Sequence, residues 1–157
     1  MIRPLASDDL QAMLALNNAF ALETSYLTAE AMRRLVASAF HVRLVGQADA
    51  FCLALDHTAA YDSPNFLWFQ ARFGRFVYVD RVIVALHARG QGLARALYHD
   101  LATVARAAGH VRLCCEVNVS PANPDSDRFH AAFGFAETGR AVLADRGKTV
   151  RYLSLAL

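Results

Sequence analysis

A run of β-formers gives way, over a short glycine-bearing stretch, to a long helical pattern rich in Ala and Leu. Phe76, Val77, Tyr78, Val79, Val82, Ile83 and Val84 favour a strand over Arg75–Val84. Ala85-Leu86-His87-Ala88 and Arg89-Gly90-Gln91-Gly92 follow; the helical pattern then runs to Ala108, and Gly109 is a natural stop. Glycine lets the main chain approach a ligand closely. The first amides of a helix have no internal partner, and the helix dipole adds positive potential there. Together these make a phosphate seat, with Arg89 and Arg95 as ion partners. A bare glycine pair is equally consistent with a tight strand-to-helix turn that binds nothing. Two other phosphate motifs are excluded. A dinucleotide fold wants a third glycine where Arg95 stands, and a P-loop wants Gly-Lys-Ser/Thr, which is absent.

The rest of the chain supplies a sheet for that unit. Residues 2–5 predict a short strand, and Ser7-Asp8-Asp9 a helix start. Leu10, Met13, Leu14 and Asn17 follow at helical spacing. Thr28 caps a second helix through about Ser38, with Met32, Leu35 and Val36 inward. His41–Val45 and Ala50–Asp56 predict strands around a turn at 46–49. Between His57 and Gly74, Asp62-Ser63-Pro64-Asn65 and the aromatics Phe66, Trp68, Phe69 and Phe73 suggest a loop and a short helix. Those rings suit an acceptor pocket, a dimer contact or core packing. Val111–Val119 predicts a strand, Pro121–Pro124 opens a helix that Gly134 ends, and Phe135–Val142 and Val150–Leu155 are terminal strands. No repeat or linker divides the chain, so residues 1–157 are expected to form a single mixed α/β (α+β) domain around one central sheet.

Composition narrows the function classes. Apolar residues are 55% and charged residues 19%, which suits a packed core and excludes disorder. A net charge of +2 is too small to attract nucleic acid or an anionic membrane, and no apolar run is long enough to span a bilayer. Lys148 is the only lysine; the other basic residues are arginines. Cys52, Cys114 and Cys115 are odd in number and lack metal-ligand spacing, as the histidines do. No disulfide framework and no metal site is expected, and a cytoplasmic, reducing location fits.

Two motifs carry a family resemblance. Arg89-x-x-Gly92-x-Ala94 resembles the Arg/Gln-x-x-Gly-x-Gly/Ala motif of the GNAT superfamily of N-acetyltransferases. Asn123-x-x-Ser126-x-x-x-His130-x-x-x-Gly134-Phe135 resembles that family's Asn-x-x-Ala-x-x-x-Tyr-x-x-x-Gly-Phe. The opening, Ile2-Arg3-Pro4-Leu5 with Ser7-Asp8-Asp9-Leu10, is similar too, so the resemblance spans nearly the whole chain in order. It implies a central sheet with splayed middle strands, flanked by about four helices. It further implies acetyl-CoA as cosubstrate, an amine acceptor (small molecule or protein amine), and often a homodimer. The amides of Arg89, Gly90, Gln91, Gly92, Leu93, Ala94 and Arg95 would hold the pyrophosphate of CoA. Val82, Ile83 and Val84 would pair with the pantetheine arm, and Asn123, with Asn118 as a weaker candidate, would contact it from the other side.

Direct attack by an amine needs a base, a polarised thioester carbonyl and a proton for the leaving thiolate. A backbone amide near Val84 could hold the oxyanion. His130 stands where the family usually has Tyr, to which the resemblance assigns protonation of the thiolate. It either takes that role or only fills space beside CoA. Glu116, an acid within an apolar strand, and Asp80 are the candidate bases. Arg112, on the face of Glu116, is the structural alternative as its neutralising partner. Asp80 and Arg81 are strand neighbours and are expected to point to opposite faces. The cysteines are expected to be small buried residues. A non-catalytic acyl-CoA sensor and a nucleotide-binding module are the competing functions.

Overall fold

The computed structural model describes residues 1–157. Seven strands form one sheet: β1 (Ile2–Pro4), β2 (His41–Val45), β3 (Ala50–Asp56), β4 (Val77–Val84), β5 (Arg112–Ser120), β6 (Ala136–Leu143) and β7 (Lys148–Ala156), in the order β1-β2-β3-β4-β5-β7-β6. All neighbours are antiparallel except β4 and β5. Five α-helices flank it: α1 (Leu10–Ala19), α2 (Ala29–Ser38), α3 (Pro64–Gln70), α4 (Leu93–Ala107) and α5 (Pro124–Phe133). The resemblance implies about four; α3 is the short helix expected of the aromatic segment.

Local chemistry sets the ends. The Thr28 hydroxyl accepts the Ala31 N–H at 3.1 Å, capping α2. Asn123 caps α5, with Pro124 at its first position and Gly134, at φ 113°, as its stop.

The sheet is covered on both faces. One core gathers Met13, Met32, Phe51, Leu53, Phe66, Phe69 and Tyr78 under α1, α2 and α3; the other gathers Cys52, Ala54, Val77, Val79, Leu97 and Leu101 under α4. The aromatic segment is therefore core. Phe66 and Phe69 are fully buried, and Trp68 stacks on Tyr152 at 4.2 Å. Phe73 holds the Arg112 guanidinium, which lies 3.8 Å from its ring centre. Arg112 thus leaves Glu116 to other partners, and the alternative of a neutralising Arg112–Glu116 pair falls away. No helix is long and apolar enough to cross a membrane.

Two irregularities of β4 shape the middle of the sheet. Leu53 faces Arg81 but Ala54 faces Val79, so Asp80 is an extra residue, a β-bulge. The bulge resets the alternation: Val77 and Val79 face the α4 side before it, Val82 and Val84 after it. β4 then parts from β5. They pair only at Val77↔Leu113 and Tyr78↔Cys114, while β5 continues along β7. Beyond Tyr78 one edge of β4 has no strand partner, and a wedge opens between the parallel strands.

Candidate active site

The wedge holds an inner cavity of about 160 Å³, lined by Asp80, Arg81, Val82, Cys115, Glu116, Asn118, Asn123 and His130, with Tyr61, Asn65, Tyr78 and Tyr98. An outer groove of about 590 Å³ runs past Val82, Ile83, Val84, Arg89, Gly90, Gly92, Leu93, Ala94 and Arg95 to Asn123 and α5. Val82, Asn123, Ser126 and His130 line both, so the two spaces meet.

The groove's floor is the hand-over from β4 to α4. Gly90 and Gly92 take φ of 77° and 74°, where side chains are strained, and a Cβ on either would meet open space. The chain leaves the N–H groups of Gly90, Gln91, Gly92, Leu93, Ala94 and Arg95 without hydrogen-bond partners. Six successive free donors at the positive end of a fifteen-residue helix form an anion cradle. The Arg89 amide does not belong to it, because it donates to Leu86 O at 3.3 Å. The Arg89 side chain lies over Phe20 at the rim instead. The Gln91 side chain does not line the groove, which leaves that residue its amide alone. Asn118 lines the inner cavity rather than the groove, so its expected place beside the cofactor arm moves inward.

The inner cavity gathers the acids. Glu116 Oε2 accepts the Tyr78 hydroxyl at 2.7 Å, and Oε1 accepts Asn65 Nδ2 at 3.1 Å. Tyr152 fixes Asn65 by donating to its Oδ1 at 2.8 Å. Burial raises the Glu116 pKa to about 7, against the two hydrogen bonds that lower it; nearby Asp80 also raises it. A carboxyl so placed exchanges a proton near neutral pH.

Asp80 is differently held. Its Oδ1 accepts the Tyr61 hydroxyl at 2.7 Å, and its Oδ2 accepts Arg81 Nε at 2.6 Å. The bulge brings these two strand neighbours to one side, which corrects the expectation that they point apart. Arg81 is buried and continues to Asn17 Oδ1 at 2.7 Å, and Asn17 Nδ2 donates to Ser25 O. Asp80 thereby helps tether the 20–27 loop, whose Glu23, Thr24 and Ser25 wall the cavity.

His130 is buried and tied at both nitrogens. Nδ1 lies 2.7 Å from Ser126 O, which can only accept, so Nδ1 carries a proton; Nε2 then accepts the Tyr98 hydroxyl at 2.7 Å. Burial lowers the His130 pKa, against the bond to Ser126. A phenol from α4, Tyr98, is thus hydrogen-bonded to the residue that stands where the family motif has Tyr. Tyr98, with Asn65 and Tyr61, is a site residue the motifs miss. Its signal was a hydroxyl-bearing side chain beside Leu97 on the apolar face of α4.

Cys114 and Cys115 are buried free thiols with raised pKa values, as expected of packing residues.

A splayed parallel pair, a bulged strand and a glycine cradle at a helix start together define an acyl-CoA transferase fold. The Acetyltransferase (GNAT) family model matches residues 23–135. Aminoglycoside N(6')-acetyltransferase type 1 of Serratia marcescens is 33% identical over 138 residues, covering 86% of this chain and 90% of that enzyme. Two solved structures share the fold: Ard1 from Thermoplasma volcanium (TM-score 0.75, 17% identity, 100% of this chain and 97% of that one) and ribosomal-protein-alanine N-acetyltransferase from Brucella melitensis (0.75, 20%, 100% and 99%). The chain belongs to the GNAT family of acetyltransferases. It is an enzyme that moves an acetyl group from acetyl-CoA to an amine.

Proposed function

We propose that residues 1–157 act as one catalytic domain that acetylates a small primary amine by direct attack, with Glu116 as the base. The observation that carries this is a buried carboxyl, Glu116, hydrogen-bonded to Tyr78 and Asn65 and in no ion pair, lining the inner cavity that meets the groove.

The cradle of amides from Gly90 to Arg95 holds the diphosphate of acetyl-CoA, and the unpaired edge of β4 at Val82–Val84 receives the pantetheine arm as an added strand. Asn123 faces it from α5. The acetyl carbonyl then reaches the wedge, where a β4 amide stabilises its developing charge. Glu116 takes the ammonium proton of the acceptor before attack. The Tyr98 hydroxyl, which rests donating to His130 Nε2, swings from that bond to give its proton to the departing sulfur. The second proton of the attacking nitrogen, acidic once acylated, restores Tyr98. Asp80, already paired with Arg81, shapes the cavity and keeps Glu116 protonated to a higher pH.

The name of the Serratia relative brings an aminoglycoside amine into consideration. Arg146 and Lys148 favour a different acceptor. Both line the inner cavity, and neither is in an ion pair. Two cations outside any ion pair, with the equally unpaired Glu23 in the same lining, suit an amine that also carries an anionic group. Free thiols and the absence of a membrane-crossing helix agree with a cytoplasmic location, and the exposed edge strand β6 is available to a homodimer.

The test is release of CoA thiol with three acceptor sets: aminoglycosides, amino acids and their carboxyl-blocked amides, and peptides with free N-termini. Turnover of free amino acids above their amides supports the anionic acceptor. Preference for aminoglycosides removes it, and no turnover with any primary amine removes the acceptor class proposed.

A further inference from the structure

Asp56, His57 and His110 come together at the end of the sheet away from the wedge. Asp56 ends β3 opposite Val77, the first residue of β4, and His110 lies between α4 and β5. None of the three lines the inner cavity or the groove. One ligating atom from each lies within 4.8 Å of the others. His110 is only 5% exposed, and its Nδ1 has no hydrogen-bond partner; the Nδ1 of His57 is likewise buried and unpaired. The rings stand edge-on with centroids 5.5 Å apart.

Their surroundings hold this arrangement in place. Phe40 packs edge-on against His110 at 5.1 Å, and the His110 N–H donates to Ala105 O. The His57 N–H donates to Phe76 O. Asp56 Oδ1 accepts the Thr58 amide and hydroxyl at 2.9 and 2.6 Å, which orients the carboxylate and leaves Oδ2 uncommitted. A pair of buried imidazole nitrogens without partners is rare in a folded core. Here they sit beside a carboxylate oriented from behind, as metal-bound carboxylates are.

We propose that Asp56, His57 and His110 form a binding site for a divalent transition metal, zinc in the first instance. Two imidazoles and one carboxylate, with water in the fourth position, are a donor set zinc accepts. Bond lengths of about 2.0–2.2 Å require the three atoms to draw closer than they stand. His57 and Asp56 are half-buried, and their side chains can turn inward onto the fixed His110. The one opposing charge is the Arg75 guanidinium, whose hydrogen bond to Ala108 O at 3.1 Å places it on the neighbouring helix end. The metal would tie the end of β3 to the α4–β5 connection, where the parallel pair begins. Its role is that of a staple on the scaffold, and it takes no part in acetyl transfer.

The experiment uses untagged full-length protein freed of metal by a chelator. Zinc is titrated by calorimetry, and cobalt by its visible absorption, which reports nitrogen and oxygen ligands in a low-symmetry site. We expect one equivalent to bind, a rise in melting temperature of several degrees, and unchanged acetyl transfer at saturating substrates. His57→Ala, at the half-buried position, should weaken binding at least tenfold while the protein stays folded. His110→Gln should do the same, and the two together should abolish the cobalt signal. If the wild type takes up neither metal stoichiometrically, or if His57→Ala binds as tightly as wild type, the site is a pair of packed histidines and the proposal fails.

Discussion

The Tyr78 hydroxyl donates to Glu116 Oε2 at 2.7 Å across the point where β4 and β5 cease to pair. The strand that provides the phenol and the strand that provides the acid are held together by this bond just where their backbones separate. Its consequence is a carboxyl that is buried yet still able to ionise. Replacing Glu116 by Gln keeps the shape and removes the base. Turnover should fall roughly a hundredfold or more, the usual worth of a positioned base, with affinity for acetyl-CoA little changed. Steady-state rates paired with a direct binding measurement separate the two effects.

In the wild type kcat/KM should rise with pH through a midpoint of about 7, where Glu116 of the free enzyme loses its proton. The Tyr78 hydrogen bond holds that pKa down against burial, so Tyr78→Phe should move the midpoint upward. A pH–rate profile of the two proteins decides this. A Tyr78→Phe midpoint at or below that of the wild type would assign the titration to another group.

The same shift makes stability depend on pH. Folded Glu116 titrates at about 7 against an ordinary 4.5. Below 4.5 the group is protonated folded or unfolded and contributes nothing. Between 4.5 and 7 the folded state keeps a proton that the unfolded state has released, so stability falls as pH rises; above 7 the loss is complete. Allowing for water in the cavity, the loss is on the order of 2 kcal/mol. Glu116→Gln should therefore melt roughly 4–8 °C above wild type at pH 8 and close to it at pH 4.5, as read by calorimetry.

Gly92 is at φ 74° with open space where a Cβ would be, and free amides on either side. Gly92→Asp adds strain at a left-handed position and puts a negative charge in the anion cradle. Affinity for acetyl-CoA should drop at least tenfold, on the order of 1.4 kcal/mol. Equilibrium titration with CoA, on protein whose circular dichroism matches wild type, checks it. Equal affinity would place the diphosphate elsewhere.

The glycine hand-over and the strand borders could be read from the chain because each leaves a local mark: a change of period, a cap, a β-branched run. The bulge left a fainter one. The apolar positions that face α4, Val77, Val79, Val82 and Val84, skip a step at Asp80-Arg81, and that skip is what turns the two charges to one side. Pairings between distant elements leave no such mark. Nothing in the chain near Glu116 announces that Asn65 will reach it from α3, or that Tyr98 will complete His130 from α4. The strand neighbour Arg112 was the visible partner, and an aromatic ring took it.

The Tyr98–His130 pair makes the last prediction. If Tyr98 is the proton donor and His130 its support, the two substitutions differ in a defined way. Tyr98→Phe deletes the donor and leaves His130 Nε2 buried without a partner, costing about 1–3 kcal/mol of stability. Turnover should fall tenfold or more while acetyl-CoA affinity holds. His130→Phe keeps the phenol but frees it to rotate, so turnover should fall less than in Tyr98→Phe. Parallel measurements of kcat, CoA affinity and melting temperature on both variants separate the roles. A larger loss in His130→Phe, with Tyr98→Phe near wild type, would make the imidazole the donor and the phenol its brace, since only then could removing the hydroxyl spare the chemistry.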